Sequence, residues 1–181
     1  MKAFRDYKLG PALSLFDSSL QFRKNADALG GRGVCLLFDG DAGKGIQTLD
    51  QARSMRHGKG TPFENFYEGL FYFFQNDTSN AVPLLEAASE HTDYVWAVTK
   101  LFAVIQLDRN RPDEASKLMQ PYLQAKITEP DQAYIVARLE LAEGKNAEAR
   151  TIVDNFFSTS MAPYWKQRFE QLRITLKNGK T

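Results

Sequence analysis

Small residues recur in this chain at a fixed interval, and that interval constrains the fold more than any other feature. Ala81, Ala115 and Ala149 stand 34 residues apart, and the pairs Gly33/Gly69 and Ala52/Ala88 stand 36 apart. Each of those three alanines follows a polar turn: QNDTSNA, DRNRPDEA and EGKNAEA. Each turn separates two apolar runs, the first of a pair being LGGRGVCLLF, FENFYEGLFYFF, YVWAVTKLFAVIQL or DQAYIVARLELA. Apolar residues within the runs are three and four apart, as at Ala115, Leu118, Met119 and Tyr122, which is the spacing of one helix face. The β-branched residues do not alternate strictly, so no strand is expected. The pattern predicts a helix–turn–helix unit four times over.

A helical pair of this length resembles the tetratricopeptide repeat. That family places small residues at repeat positions 8, 20 and 27, a large one at 11, and often Gly at 15. Counting from Ala26, Pro62, Trp96 and Pro130, position 8 is Gly33, Gly69, Ala103 and Ala137. Position 20 is Gly45, Ala81, Ala115 and Ala149, and position 15 is Gly40, Asn76, Asn110 and Gly144. Small residues suit helices that cross closely, and Gly or Asn suits a left-handed helix end. Gln106 and Glu140 at position 11, and Tyr122 and Phe156 at position 27, depart from the pattern. The resemblance implies an all-α, right-handed superhelical solenoid of antiparallel helix pairs, one domain over 1–181. Its parts are a partial repeat (1–25), repeats at 26–61, 62–95, 96–129 and 130–161, and a capping helix (162–178).

The ends fit that division. YKLGPALSLFDSSLQ reads as the second helix of a repeat whose first helix has no room after Met1. The expectation is a sequence that continues upstream, or an abbreviated cap. It leaves Leu13, Leu15, Phe16 and Leu20 short of cover, so self-association through this partial repeat is a second expectation. After Pro163, the stripe Tyr164, Trp165, Phe169, Leu172 and Leu176 opposes Lys166, Gln167, Glu170 and Gln171, as a terminal helix with one wet face requires.

Sites for ions or cofactors are not encoded. FDGDAGKGIQTLD (38–50) has Asp39, Asp41 and Asp50 at calcium-loop positions 1, 3 and 12, but Gly43 and Lys44 stand where an oxygen ligand and a glycine are needed. Lys44 is followed by Gly45, not Ser or Thr, which also breaks the phosphate-loop motif. Asp39 and Asp41 are expected as turn and cap residues. The three glycines predict a loose hairpin, in which alanine at 45 would be stabilising. His57 and His91 fall just after second helices, and Cys35 lies in an apolar run, as a buried inert thiol does. No nucleophile motif or metal spacing occurs, so no enzyme and no cofactor are expected. With 23 basic and 22 acidic residues the net charge is +1, which gives no basis for nucleic-acid binding. No run of about 18 apolar residues is present to span a membrane. Cellular compartment is left open.

The resemblance also implies a concave groove lined by positions 2, 5, 9, 12 and 13 of each repeat. In the second repeat these are Phe63, Phe66, Leu70, Phe73 and Phe74. Aromatics nearly all round that helix suit burial by a neighbour as well as an open apolar groove. Lys100, Tyr134 and Arg138 are candidates for a polar rim, with Arg138 able to hold a partner carboxylate. The Lys-and-Asn clamp of the chaperone-binding members is not matched at these positions. The functional expectation is a non-enzymatic scaffold that binds a protein or peptide. The alternative is a self-assembly or docking module of a longer, envelope-anchored or regulatory protein.

Overall fold

A computed structural model describes residues 9–123 and 126–178. Among these residues there is no strand. The helices are α1 (Leu9–Phe22), α2 (Ala26–Asp39), α3 (Ala42–Met55), α4 (Pro62–Phe74), α5 (Thr78–Ser89), α6 (Thr92–Asp108), α7 (Pro112–Met119), α8 (Pro130–Ala142), α9 (Asn146–Phe157) and α10 (Pro163–Lys177). They pack neighbour to neighbour, as in α1 with α2, α2 with α3, α4 with α5 and α8 with α9. The chain divides into two compact units, 1–98 and 99–181, with the division inside α6. None of the described helices is long and apolar enough to cross a membrane.

One backbone device ends the first helix of every hairpin. Gly40, Asn76, Asn110 and Gly144 have φ of 104°, 58°, 57° and 78°, the left-handed region that Gly and Asn tolerate best. The following residue then donates its N–H back over five residues: Asp41 to Leu36, Asp77 to Tyr72, Arg111 to Gln106 and Lys145 to Glu140, at 2.9–3.2 Å. That bond satisfies a carbonyl the helix end would otherwise leave open. The next helix starts with its own cap in two cases: Asp41 accepts from Lys44 N–H (3.3 Å) and Asp77 from Asn80 N–H (3.2 Å). Asp41 therefore caps α3, and the exposed Lys44 ammonium lies 2.6 Å from its carboxylate.

In the first unit, Val34, Leu37, Phe38, Leu49 and Phe71 form the buried core. Gly33 and Gly45 bring α2 and α3 together. A Cβ on Gly45 would stand 2.8 Å from the Leu37 nitrogen and 3.0 Å from the Gly33 oxygen. The expected loose hairpin is thus a close crossing, and the expectation of stabilising alanine at 45 is corrected. The reason is the closeness of the two backbones: main-chain atoms of α2, which cannot move aside as a side chain can, already fill the place of a β-carbon at 45. Gly31 likewise leaves the space that the Phe16 ring of α1 fills, and Gly30 the space for the Glu64 carboxylate.

Glu64 is buried at the start of α4 and does three things at once. Its carboxylate accepts from the Thr61 N–H (3.0 Å), completing a capping box in which Thr61 Oγ1 accepts from the Glu64 N–H (3.2 Å). Both of its oxygens accept from Arg56, at 2.9 Å each, and Arg56 also donates to the Ala26 carbonyl at 2.8 Å. Arg53 pairs with the buried Glu68. These two arginines tie the end of α3 to α4, and Arg56 ties it to α2.

In the second unit, Ala133, Ile135, Ala137, Ala149, Val153 and Phe169 are fully enclosed. α10 turns Trp165, Phe169, Leu172 and Leu176 inward and leaves Lys166, Gln167, Glu170 and Gln171 exposed, as the stripe predicted. Arg150 of α9 caps its end by donating to the Leu176 carbonyl at 2.8 Å. Two boundaries differ from the sequence reading. α6 begins at Thr92, two residues ahead of the apolar run that starts at Tyr94 and four ahead of the repeat boundary at Trp96, and no Gly or Pro interrupts 92–108. α7 stops at Met119, and Gln120–Tyr122 form a 3-10 turn in which Pro121 cannot supply the next helical N–H. The expectations for residues 1–8 lie outside the described residues, as do those for 124–125 and 179–181.

Candidate functional site

The second unit contains a cleft of about 760 Å³. Leu107 at the end of α6, Tyr134, Arg138 and Leu141 on α8, and Arg168 and Leu172 on α10 line it. Helical spacing explains the assembly. Tyr134, Arg138 and Leu141 fall at i, i+4 and i+7 on one α8 face, and Arg168 and Leu172 are one turn apart on α10.

Tyr134 is the floor, only 4% exposed. Its hydroxyl receives the Arg138 Nη1 at 2.8 Å and the Arg168 Nη1 at 3.3 Å. Both guanidinium carbons also lie near its ring, at 5.8 and 5.5 Å from the centroid. Arg138 is held further by donating to the Leu107 carbonyl at 2.9 Å. Asp108 binds Arg168 through two parallel bonds of 2.9 and 2.7 Å and stands 3.7 Å from Arg138. Two cations therefore share one carboxylate, and both of them line the partly apolar cleft. Burial alone would lower the Arg168 pKa, but the bond to Asp108 and the neighbouring Tyr164 and Tyr134 outweigh it, and the net shift is upward. Burial pushes the nearby Tyr164 phenol well above its usual range. Both groups thus keep their ordinary charge states at neutral pH.

Of the expected site residues in this unit, Tyr134 and Arg138 line the cleft. Lys100 does not: it is buried and paired with Glu129 and with Asp131, the latter at 2.7 Å. It is a structural cation, not part of an open rim. Arg168 was not expected. Its signal was present, because it lies one turn from Tyr164 at the edge of the α10 apolar stripe, where an arginine can reach across to a neighbouring helix.

In the first unit the expected aromatic face is mostly filled. Phe73 is 3% exposed and belongs to the core, so it is removed from the candidate surface. Leu70 and Phe74 are half-buried. The Phe66 ring packs on Tyr67 (5.2 Å) and Tyr94 (5.0 Å), and Phe63 on Tyr67 (4.8 Å). Phe63, at 40% exposure, is what that face offers most openly. From other helices, Tyr94 meets Phe66, and Phe38 of α2 meets Tyr67 and Phe71. Among the described residues, no three His, Cys, Asp or Glu side chains gather to hold a metal ion.

Comparison with known proteins gives no match to a family model, a curated protein or a solved structure.

Proposed function

We propose that this chain is a non-enzymatic interaction module of the tetratricopeptide type, a right-handed solenoid of helix pairs whose cleft in the second unit holds a segment of a partner protein. Support for the family comes from left-handed helix ends at 40, 76, 110 and 144, with Gly33 crossing close to Gly45 of α3 and Gly69 close to Leu85 of α5. The observation that carries the function is the cleft. It pairs apolar walls with fixed polar donors, the arrangement that lets a binding site combine affinity with orientation. Repeat proteins present such surfaces on one side of the stack.

The test is selection of a random octapeptide library on the chain of residues 1–181. Recovered peptides are then titrated by two-dimensional amide NMR. Shift changes centred on Leu107, Arg138 and Leu172 are expected. If no peptide is recovered, or shifts map elsewhere, the reading fails. A second reading is self-assembly, favoured by α1, where Leu15 is 72% and Phe22 92% exposed. Light scattering at rising concentration separates the two, since a constant monomer mass excludes self-assembly.

A further inference from the structure

Asp108 sits as a ligand would. Its carboxylate is bound in the two-pronged manner that guanidinium groups give to bound acids. It comes from the last residue of α6 and its side chain keeps 38% of its surface open. Arg168 is far more enclosed, with 13% of its side chain exposed. Tyr134 and the Leu107 carbonyl fix Arg138 independently of Asp108. Arg138 is therefore held by groups other than the carboxylate, whereas Arg168 takes its two shortest bonds from Asp108 and keeps besides them only the Tyr134 hydroxyl at 3.3 Å and the Tyr134 and Tyr164 rings among its described contacts. Glu143, the acid that lines the cleft wall, is held by Lys145 at 2.6 Å.

Resting on the peptide-binding reading, we propose that the cleft recognises an acidic side chain of its peptide partner, an aspartate or glutamate that replaces Asp108 between Arg138 and Arg168. The apolar neighbours of that acid rest on Pro112, Leu141 and Ala142, the more open apolar residues of the lining. The charge count favours this occupant: two cations share one exposed acid, and a ligand acid meets an Arg138 already oriented for it. A neutral segment would leave Asp108 in place and gain only the walls.

The probe is the most enriched octapeptide from the library, synthesised with its acid intact and as the Asn or Gln twin. The twin is expected to bind about tenfold more weakly, the usual scale for one charge-assisted hydrogen-bonded contact. Asp108→Asn in the full chain is expected to tighten the acidic peptide by about tenfold, because the resident competitor is weakened. Arg138→Lys keeps charge but loses the fork and is expected to weaken it. Arg138→Gln, checked for intact helicity, is expected to abolish the difference between peptide and twin. The proposal is overturned if the enriched peptides carry no acid, or if Asp108→Asn leaves binding unchanged or weaker. In both cases peptide capture itself survives. Failure to enrich any peptide overturns both readings together.

Discussion

Gly45→Ala offers the sharpest test of how the first hairpin is built. Helix propensity alone favours alanine by roughly 1 kcal/mol within α3. The crossing opposes it. The new methyl would meet the Leu37 nitrogen at 2.8 Å and the Gly33 oxygen at 3.0 Å. These are backbone atoms of α2, and they cannot swing aside as the end of a side chain does. Relief requires the two helices to part, which separates Leu37 and Leu49, both fully buried. Overpacking of a filled interior costs about 1–3 kcal/mol, and obstruction by backbone places this case at the upper end. Subtracting the propensity gain leaves a net loss of about 1–2 kcal/mol.

Urea unfolding followed by far-UV circular dichroism reads this directly, with an unchanged slope confirming that only stability moved. Gly43→Ala is the internal control. It lies in the first turn of α3 with nothing within 4 Å of a new Cβ. It is expected to gain up to about 1 kcal/mol, less for a first-turn position, since only the propensity term acts. A higher midpoint for Gly45→Ala than for the unaltered chain would refute the close crossing and the α2–α3 register drawn from it.

Further outcomes follow from the same geometry. Arg56→Met leaves the Glu64 carboxylate buried without its cation and is expected to cost about 3–5 kcal/mol in urea unfolding. Asn110→Ala forces a β-carbon residue without a local hydrogen-bonding group into φ 57° and should cost about 1 kcal/mol, whereas Asn110→Gly should be near neutral. Burial first, then the Asp39 charge, raises the Cys35 thiol pKa. A disulfide reagent at pH 8 should therefore modify it far more slowly in the folded chain than in urea. Burial raises the Tyr164 pKa above its ordinary value of 10.0, so the folded chain binds more protons than the unfolded chain once that value is passed. Stability should be insensitive to this group below about pH 10 and fall as pH rises beyond it, as unfolding midpoints at stepped pH will read.

Why some of this was legible in the residues and some not has a physical pattern. The helix ends were readable because a left-handed φ restricts residue identity, so Gly40, Asn76, Asn110 and Gly144 display the backbone directly. The α10 stripe was readable because one face of a helix must be dry and the other wet. Gly45 was misread because the distance between two helix backbones is set by both helices, and the obstructing Leu37 nitrogen and Gly33 oxygen lie on the other one. The aromatic α4 was ambiguous for a related reason. Phe63 and Phe73 have the same chemistry, and only the surrounding helices decide that one is exposed and the other is core. The polar site was the least legible. Lys100 is taken by acids 29 and 31 residues away, and Arg168 meets Asp108 across 60 residues. Repeat periodicity carries no information about contacts that each occur once. The cleft is built from such contacts: Tyr134, Arg138 and Arg168 line it, and Asp108 binds Arg168.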